Sequence, residues 1–183
     1  MILYLIGFSG CGKSTVGRRA SRVAKCKFID TDREAEKLEN SKVSQIFASK
    51  GEEYFRRLET SIIETVSQTY ASENVIVATG GGLPCFGDNI NLLNSTGLTV
   101  YMLSSRERLY NMLRLCKMRR PLVAAMDDRQ LKLYIENTLA VREPFYRRAH
   151  VLLECDGCSD QVLAQRVAHL MHDRNVAPEH SVH

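Results

Sequence analysis

The segment Ile2-Leu-Tyr-Leu-Ile6-Gly7-Phe-Ser-Gly-Cys-Gly12-Lys13-Ser14-Thr15 joins a short apolar run to a glycine-rich loop. Residues 7–15 match the pattern G-x-x-x-x-G-K-[ST]. In this pattern, backbone N–H groups of the loop and of the helix that follows it surround phosphate oxygens. The segment therefore predicts a strand, a phosphate-binding loop and a helix that together bind a nucleoside triphosphate.

The expected contacts to the nucleotide are six consecutive positions of this loop: Gly10, Cys11, Gly12, Lys13, Ser14 and Thr15. We expect Lys13 to bridge the β- and γ-phosphates and the Ser14 hydroxyl to bind Mg²⁺. Cys11 has two interpretations. Any small residue fits at this position, but the nearby helix N-terminus could also lower the pKa of a thiol and make it reactive.

Short apolar runs alternate with helical patterns along the rest of the chain, which indicates βαβ units and a parallel sheet covered on both faces. The predicted strands are Ile2–Ile6, Lys27–Ile29, Val75–Ala78, Leu98–Leu103 and Val151–Leu153. The predicted helices are Lys13–Ala24, Asp32–Glu39, Val43–Ser49, Glu52–Tyr70, Arg106–Leu115, Asp127–Ala140 and Asp160–His172. The expected fold class is therefore α/β, with three layers and a five-stranded parallel sheet.

Length and composition favour one globular domain. The chain has 183 residues, of which 44% are hydrophobic, and a domain of this size buries a sufficient core without disulfides. We expect the domain to cover residues 1–174, with a mobile lid at about residues 115–128 and a disordered tail at residues 175–183. The segment 115–128 is the candidate lid because it mixes charged residues and a proline between two predicted helices.

The charge pattern and the cysteines exclude several classes of partner. No apolar run approaches the roughly 20 residues of a membrane-spanning helix, so we expect no membrane contact. The net charge is +4, with scattered arginines, whereas nucleic-acid binding favours clustered basic residues. Six cysteines without a secretion signal indicate the reducing cytoplasm. Cys155 and Cys158 form a single C-x-x-C pair, which argues against a zinc site.

Two carboxylates follow the second predicted strand, at Asp30 and Asp32. At the end of a strand, positions i and i+2 point toward the same face, so one carboxylate could hold Mg²⁺ and the other could bind an acceptor hydroxyl. Alternatively, Asp32 is only the N-cap of the next helix.

A glycine triplet, Gly80–Gly82, follows the third predicted strand. It either lets a ligand approach the backbone closely or forms a flexible turn.

The phosphate loop alone is compatible with a GTPase, an ATP-driven motor or a small-molecule kinase. The N-K-x-D type of guanine-recognition motif is absent from the sequence, and motors generally need a longer chain. The paired carboxylates and the glycine triplet favour a kinase that acts on a small anionic acceptor.

Six motifs in this order resemble those of the shikimate kinase family, and the resemblance extends from Met1 to about Leu153. The motifs are Gly7–Thr15, Asp30-Thr-Asp32, Gly51-Glu-x-x-Phe55-Arg56-x-x-Glu59, Gly80-Gly-Gly82, Arg120-Pro-Leu122 and Arg142-x-Pro-x-Tyr146. The resemblance implies a P-loop kinase fold like that of nucleoside-monophosphate kinases. It also implies transfer of the γ-phosphate of ATP to the 3-hydroxyl of shikimate, with Mg²⁺ as cofactor, in aromatic amino acid biosynthesis.

The same resemblance implies roles for residues of the acceptor site. Asp32 would bind the shikimate hydroxyls, including the one that is phosphorylated, and Arg56 and Arg142 would hold the carboxylate. Gly80, Gly81 and Gly82 would lie beside the ring, with Gly81 in direct contact. From the residues alone, Glu59 lies three positions after Arg56 on one helix and could hold its guanidinium in place.

On the nucleotide side, the resemblance implies that Arg120 reaches the transferred phosphate from the lid and contributes to catalysis together with Lys13 and Asp32. Asp30 would be the acidic residue near Mg²⁺. Arg114 would contact the adenine, because the arginine that some relatives have at the start of the last helix is absent here.

Two alternative functions stay open from the sequence. The chain could be another small-molecule kinase of this fold, similar to gluconate kinase, whose acceptor also has a carboxylate and hydroxyls. It could also be an inactive nucleotide-binding module, although Lys13, Asp32 and Arg120 are all present. We expect a cytoplasmic monomer whose partners are shikimate and ATP.

Overall fold

The computed structural model of the chain describes residues 1–116 and 121–173. Within these residues, a single five-stranded parallel sheet has the order β2-β3-β1-β4-β5. Its strands are β1 (Ile2–Ile6), β2 (Lys27–Asp30), β3 (Val75–Ala78), β4 (Leu98–Leu103) and β5 (Val151–Glu154). Three strands have the bounds predicted from the sequence, and β2 and β5 each extend one residue further. The predicted α/β fold class is confirmed.

The helices connect and cover these strands. They are α1 (Lys13–Val23), α2 (Thr31–Glu39), α3 (Val43–Thr69), α4 (Asn89–Thr96), α5 (Arg106–Cys116), α6 (Pro121–Ala124), α7 (Asp128–Tyr146) and α8 (Asp160–Leu170), with a 3₁₀ helix at Leu83–Cys85. The two helices predicted within residues 43–70 are continuous as α3, apart from a kink at Gly51, where φ is 84° and ψ is 169°. Helix α7 continues six residues beyond its predicted end and contains Pro144.

The sheet separates two hydrophobic cores, which explains why its strands are apolar on both faces. On β1, Leu3 and Leu5 face the core formed with α1, α5, α7 and α8. Tyr4 and Ile6 of the same strand face the core formed with α3 and α4. All five residues of β1 are buried, so the central strand is a rigid base for the loop that follows it.

The parallel register brings three strand ends to one edge of the sheet. Leu5 of β1 is level with Ala78 of β3, and Ala78 is level with Asp30 of β2. The phosphate loop, the glycine triplet and the two carboxylates therefore leave the sheet side by side. This is the edge at which open parallel sheets bind ligands.

Parts of the sequence predictions lie outside the described residues. The predicted lid at residues 115–128 is described at residues 115–116 and again from Pro121, where α6 begins. Arg120 and the tail at residues 175–183 lie outside the described part. Among the described helices, none has both the length and the apolar character needed to cross a membrane.

Candidate active site

The phosphate loop presents backbone N–H groups because glycine replaces side-chain caps. Gly12 is the N-cap of α1 and has φ 101°, a left-handed conformation that glycine adopts without strain. The first backbone N–H groups of a helix have no partner within the helix. Because Gly12 has no side chain, it cannot accept hydrogen bonds from them as a capping residue would. The positive end of the α1 dipole therefore remains available for a phosphate.

Lys13 is folded back over this loop. Its Nζ donates hydrogen bonds to the carbonyl oxygens of Gly7 and Phe8, each at 2.7 Å, and the residue is only 6% exposed. The ammonium is thus held at the centre of the loop, where phosphate oxygens would meet it. Within the loop, Cys11 is fully buried and packs into the hydrophobic core, which supports the interpretation of Cys11 as a small packing residue.

The structure changes the interpretation of the two carboxylates. Asp30 is the N-cap of α2, because its side chain accepts a hydrogen bond from the Arg33 N–H at 3.4 Å. Asp32 lies inside the first helical turn, so the alternative that Asp32 is the N-cap is wrong. The strand-end argument for a common face is also wrong, because the helix begins at Thr31 and the strand alternation stops at Asp30.

The glycine triplet is needed because other residues approach its backbone closely. A Cβ at Gly80 would lie 2.0 Å from Glu59 Oε1 and 2.9 Å from Asp32 Oδ1. A Cβ at Gly82 would lie 2.3 Å from Arg56 Nη2. All three distances are shorter than a van der Waals contact allows. The triplet is therefore packed directly against Asp32 and Arg56, which the resemblance assigns to the acceptor, and against Glu59, the expected partner of Arg56.

The middle glycine connects the acceptor residues to the phosphate loop. A Cβ at Gly81 would lie 2.9 Å from the backbone nitrogen of Ser9, which belongs to the loop between Gly7 and Gly12. The Gly81 carbonyl accepts a hydrogen bond from the Tyr146 hydroxyl. The residues around the acceptor and the phosphate loop thus contact the same backbone segment, which fixes their relative positions.

Arg56 is surrounded by acidic and aromatic groups. Its Nη1 donates to Glu59 Oε2 at 2.6 Å, and its Nε and Nη2 donate to Glu52 Oε1 at 3.2 Å and 2.9 Å. The rings of Phe47 and Phe55 lie 5.7 Å from the guanidinium carbon. Burial disfavours the charged form, but the two carboxylates outweigh this effect and raise the pKa of Arg56.

Glu59 is the buried partner of this arginine. It is 0% exposed, and its Oε1 has no hydrogen-bond partner among the described residues. Burial raises the pKa of Glu59 to about 7, against the lowering effect of Arg56; the charge of Asp32 raises it further and that of Arg142 lowers it. The expectation that Glu59 holds the Arg56 guanidinium agrees with this contact.

The end of α7 brings Arg142 and Tyr146 to the same region. The charge of Arg142 acts on Glu59 and on the Cys85 thiol, and its carbonyl accepts a weak hydrogen bond from Cys85 Sγ at 3.9 Å. Tyr146 is fully buried. The sequence motif included Tyr146 but assigned it no role. An aromatic residue at the end of a helix has no sequence signal that points to the Gly81 carbonyl.

The remaining predicted nucleotide contact, Arg114, is exposed on the last turn of α5. The same helix contacts the phosphate loop through Met112, whose Cε would lie 3.7 Å from a Cβ at Gly12. Helix α5 therefore borders the loop, and Arg114 lies half a turn beyond Met112. Ser14 and Thr15 are exposed in the first turn of α1, where a bound phosphate could reach them.

Together these groups form an anion-binding loop beside a second site with two arginines, two exposed carboxylates (Asp32 and Glu52) and one buried carboxylate (Glu59). The first half suits a polyphosphate. The second half suits a small ligand that has both a carboxylate and hydroxyl groups, because guanidinium forks bind carboxylates and a carboxylate accepts hydrogen bonds from hydroxyls.

Comparisons with known proteins agree with this arrangement. The shikimate kinase family model matches residues 9–172 of the chain. A shikimate kinase from Parabacteroides distasonis is 39% identical over 154 residues, which cover 84% of this chain and 87% of that protein. The crystal structure of shikimate kinase from Bacteroides thetaiotaomicron is 34% identical, with a TM-score of 0.86, and the match covers 94% of this chain and 98% of that one.

Two further solved structures are similar to this chain. Shikimate kinase from Acinetobacter baumannii, solved in complex with shikimate, is 28% identical, with a TM-score of 0.82 over 93% of this chain and 92% of that one. A gluconokinase from Sinorhizobium meliloti is 14% identical, with a TM-score of 0.54 over 93% of this chain and 90% of that one. The second likeness concerns the fold alone.

Proposed function

The chain belongs to the shikimate kinase family, and we propose that it transfers the γ-phosphate of ATP to the 3-hydroxyl of shikimate, giving shikimate 3-phosphate and ADP. It is an ATP-dependent kinase with an alcohol as acceptor, and it acts in aromatic amino acid biosynthesis. The observation that carries the proposal is the contact of Gly80–Gly82 with Asp32, Glu59 and Arg56 on one side and with the phosphate loop on the other.

On the acceptor side, Arg56 and Arg142 hold the shikimate carboxylate. A guanidinium can donate two parallel hydrogen bonds to a carboxylate, which fixes the orientation of the ring. Glu59 supports this function through its 2.6 Å contact with Arg56. The glycine triplet supports it because the absence of side chains leaves room beside these groups.

Asp32 binds the acceptor hydroxyls and orients the one that attacks. It is exposed at the start of α2 and lies close to Gly80, so it faces the region between the two halves of the site. The transition state of phosphoryl transfer is loose, and the attacking hydroxyl does not need a strong base. We therefore assign orientation to Asp32 first and proton acceptance second.

On the nucleotide side, the residues of the loop bind the phosphates of ATP: Gly10, Cys11, Gly12, Lys13, Ser14 and Thr15. Lys13 neutralises charge on the transferring group. We propose that Arg120 adds a second positive charge when the lid closes, and that closure excludes water which would otherwise hydrolyse ATP. Arg114 would contact the adenine.

The residues fit Mg²⁺ as the cofactor. The Ser14 hydroxyl and the Asp30 carboxylate are hard oxygen donors, and Mg²⁺ in such enzymes is bound by one or two protein oxygens together with water and phosphate. One Asp30 oxygen accepts the Arg33 N–H, and a carboxylate has a second oxygen that can bind a hydrating water. When bound, the ion neutralises charge on the phosphates that Lys13 and the loop hold in place.

We further propose that residues 1–174 form one domain and that the protein is a cytoplasmic monomer. The location is supported by the described cysteines, which are free thiols at positions 11, 26, 85, 155 and 158, because free thiols persist in a reducing compartment. Light scattering after size-exclusion chromatography tests the monomer against the chain mass of 20.7 kDa.

A coupled assay of ADP release tests the function. We expect turnover with shikimate and only background rates with gluconate or without acceptor. Turnover with gluconate would favour the other small-molecule kinase, and equal rates in all three conditions would indicate a plain ATPase. Absence of turnover in all three would support the inactive module.

A further inference from the structure

Arg56 already has carboxylate partners at both edges of its guanidinium. The side-on edge, formed by Nε and Nη2, donates to a single oxygen of Glu52 at 3.2 Å and 2.9 Å. The end-on edge is partly occupied, because Nη1 donates to Glu59 Oε2 at 2.6 Å. A ligand carboxylate that binds Nε and Nη2 together must therefore replace Glu52.

The two partners differ in how easily they can leave. The Glu59 side chain is 0% exposed, whereas the Glu52 side chain is 66% exposed. Removing Glu59 from Arg56 would leave a charge buried without a partner, which is strongly unfavourable. Glu52 can rotate into water and be solvated there, because its side chain is the exposed partner of a pair whose arginine is 11% exposed. The side-on edge is therefore the one that a ligand can take.

Local structure explains why Glu52 occupies this place. Gly51 interrupts α3 with φ 84°, so Glu52 is the first residue of the second helical segment and Arg56 lies one turn later. A glutamate four positions before an arginine is the favourable orientation for such a pair on a helix. Its position in the first turn of the segment also favours a negative charge.

We propose that Glu52 is a placeholder for the acceptor carboxylate: it pairs with the side-on edge of Arg56 and is displaced when the acceptor binds. This inference rests on the proposed function, in which Arg56 holds the carboxylate of shikimate. Glu52 keeps the largely buried guanidinium paired and oriented before the acceptor binds. It also competes with the ligand, so it lowers the affinity of the acceptor.

The chain contains a matched control for this pair. Glu53 and Arg57 form the same i,i+4 ion pair at 2.6 Å, but both side chains are more than 70% exposed and belong to the outer face of α3. Glu52→Gln and Glu53→Gln remove the same charge from adjacent positions. Only the first substitution removes a competitor from Arg56.

The first experiment measures steady-state kinetics with shikimate and ATP for the wild type, Glu52→Gln and Glu53→Gln. We expect Glu52→Gln to lower the KM for shikimate by about 2–5-fold, the range that corresponds to an exposed ion pair. The change should fall on KM for the acceptor and not on kcat or on KM for ATP. Glu53→Gln should match the wild type, and an unchanged or higher KM for shikimate in Glu52→Gln would overturn the proposal.

The second experiment does not depend on turnover, so it separates failure of this inference from failure of the proposed function. Acetate is titrated into the same three proteins, and the Nε–H resonance of Arg56, assigned with Arg56→Lys, is followed by NMR. We expect acetate to bind about 2–5-fold more tightly to Glu52→Gln than to the other two proteins. Equal affinities in all three would overturn the proposal even if shikimate is the substrate.

A second variant keeps the proposal testable if Glu52→Gln is poorly folded. Glu52→Asp retains the charge but shortens the side chain by one methylene, so its carboxylate no longer reaches both nitrogens of Arg56. It should bind acetate more tightly than the wild type. Binding weaker than that of the wild type would mean that Glu52 helps Arg56 to hold the ligand, which contradicts displacement.

Discussion

Gly80→Ala tests whether the glycine triplet is the packing centre of the acceptor site. The added methyl carbon would lie 2.0 Å from Glu59 Oε1, 2.9 Å from Asp32 Oδ1 and 3.3 Å from Glu59 Cδ. Non-bonded heavy atoms normally approach to about 3.5 Å, so the Glu59 carboxylate must move by about 1 Å or more. It is fully buried and bonded to Arg56, so the guanidinium has to move with it.

The expected cost follows from these contacts. Overpacking of a buried site destabilises a protein by about 1–3 kcal/mol, which for a chain of this length lowers Tm by about 2–12 °C. Displacement of Arg56 and Asp32 by about 1 Å should lower kcat/KM for shikimate by about 100-fold. Thermal melting and steady-state kinetics of the same preparation measure both effects.

The control is Gly87→Ala, at a glycine with φ 53° and no atom within 4 Å of its missing Cβ. An alanine in the left-handed conformation costs about 1–2 kcal/mol, so this variant should have a lower Tm while its kcat/KM stays at the wild-type value.

Glu59→Asp adds a second test, because it shortens the side chain that the methyl group added at Gly80 would meet. The double variant Gly80→Ala/Glu59→Asp should be more stable than the sum of the two single effects predicts, by about 1 kcal/mol. Wild-type stability and activity in Gly80→Ala would refute the reasoning.

Three other outcomes are expected. The pKa of Glu59 is raised by burial from 4.5 to about 7, so the folded state binds this proton more tightly than the unfolded state. The free energy of unfolding of the wild type, relative to that of Glu59→Gln, should therefore be highest below pH 4.5 and fall as the pH rises through 7. Urea denaturation of both proteins at pH 5 and pH 8 measures this difference. A larger difference at pH 8 than at pH 5 would contradict the prediction. Tyr146→Phe leaves the Gly81 carbonyl without its hydrogen-bond donor and should lower the free energy of unfolding by about 1–2 kcal/mol. The control Tyr54→Phe removes an exposed hydroxyl and should have a smaller effect, and thermal melting of both variants measures the difference. Arg120→Ala should reduce kcat by several orders of magnitude, as measured by steady-state kinetics, while calorimetry should show a nearly unchanged affinity for ADP. A kcat close to the wild-type value would exclude the proposed role of Arg120 in the lid.

Much of the fold could be predicted from short-range patterns. The apolar runs predicted the first and last residues of β1, β3 and β4 correctly, because strands that are buried on both faces are continuous apolar segments. Helix α4 was missed, since residues 89–96 are rich in Asn, Ser and Thr, which favour turns over helix interiors. Helix α3 was divided at Gly51, although the helical segments on either side continue along one element with a kink.

The site was predictable in its members and less so in its geometry. The phosphate loop and the Arg56–Glu59 pair follow from local spacing alone. Asp30 and Asp32 differ in role because the helix begins one residue after β2 ends, and a one-residue boundary is beyond the resolution of a sequence pattern. The contacts of Gly80 with Glu59 and of Gly81 with Tyr146 join residues 21 and 65 positions apart, and no local signal reports such a pairing.

The central claim is that the two arginines beside the phosphate loop select an acceptor by its carboxylate. The most direct measurement compares kcat/KM for shikimate with kcat/KM for its uncharged methyl ester, under identical ATP and Mg²⁺ concentrations. A buried, hydrogen-bonded charge pair is worth about 2–5 kcal/mol, so the ester should react at least about 30-fold less efficiently. Values for the two compounds within a factor of three would contradict the assignment of Arg56 and Arg142 to the carboxylate.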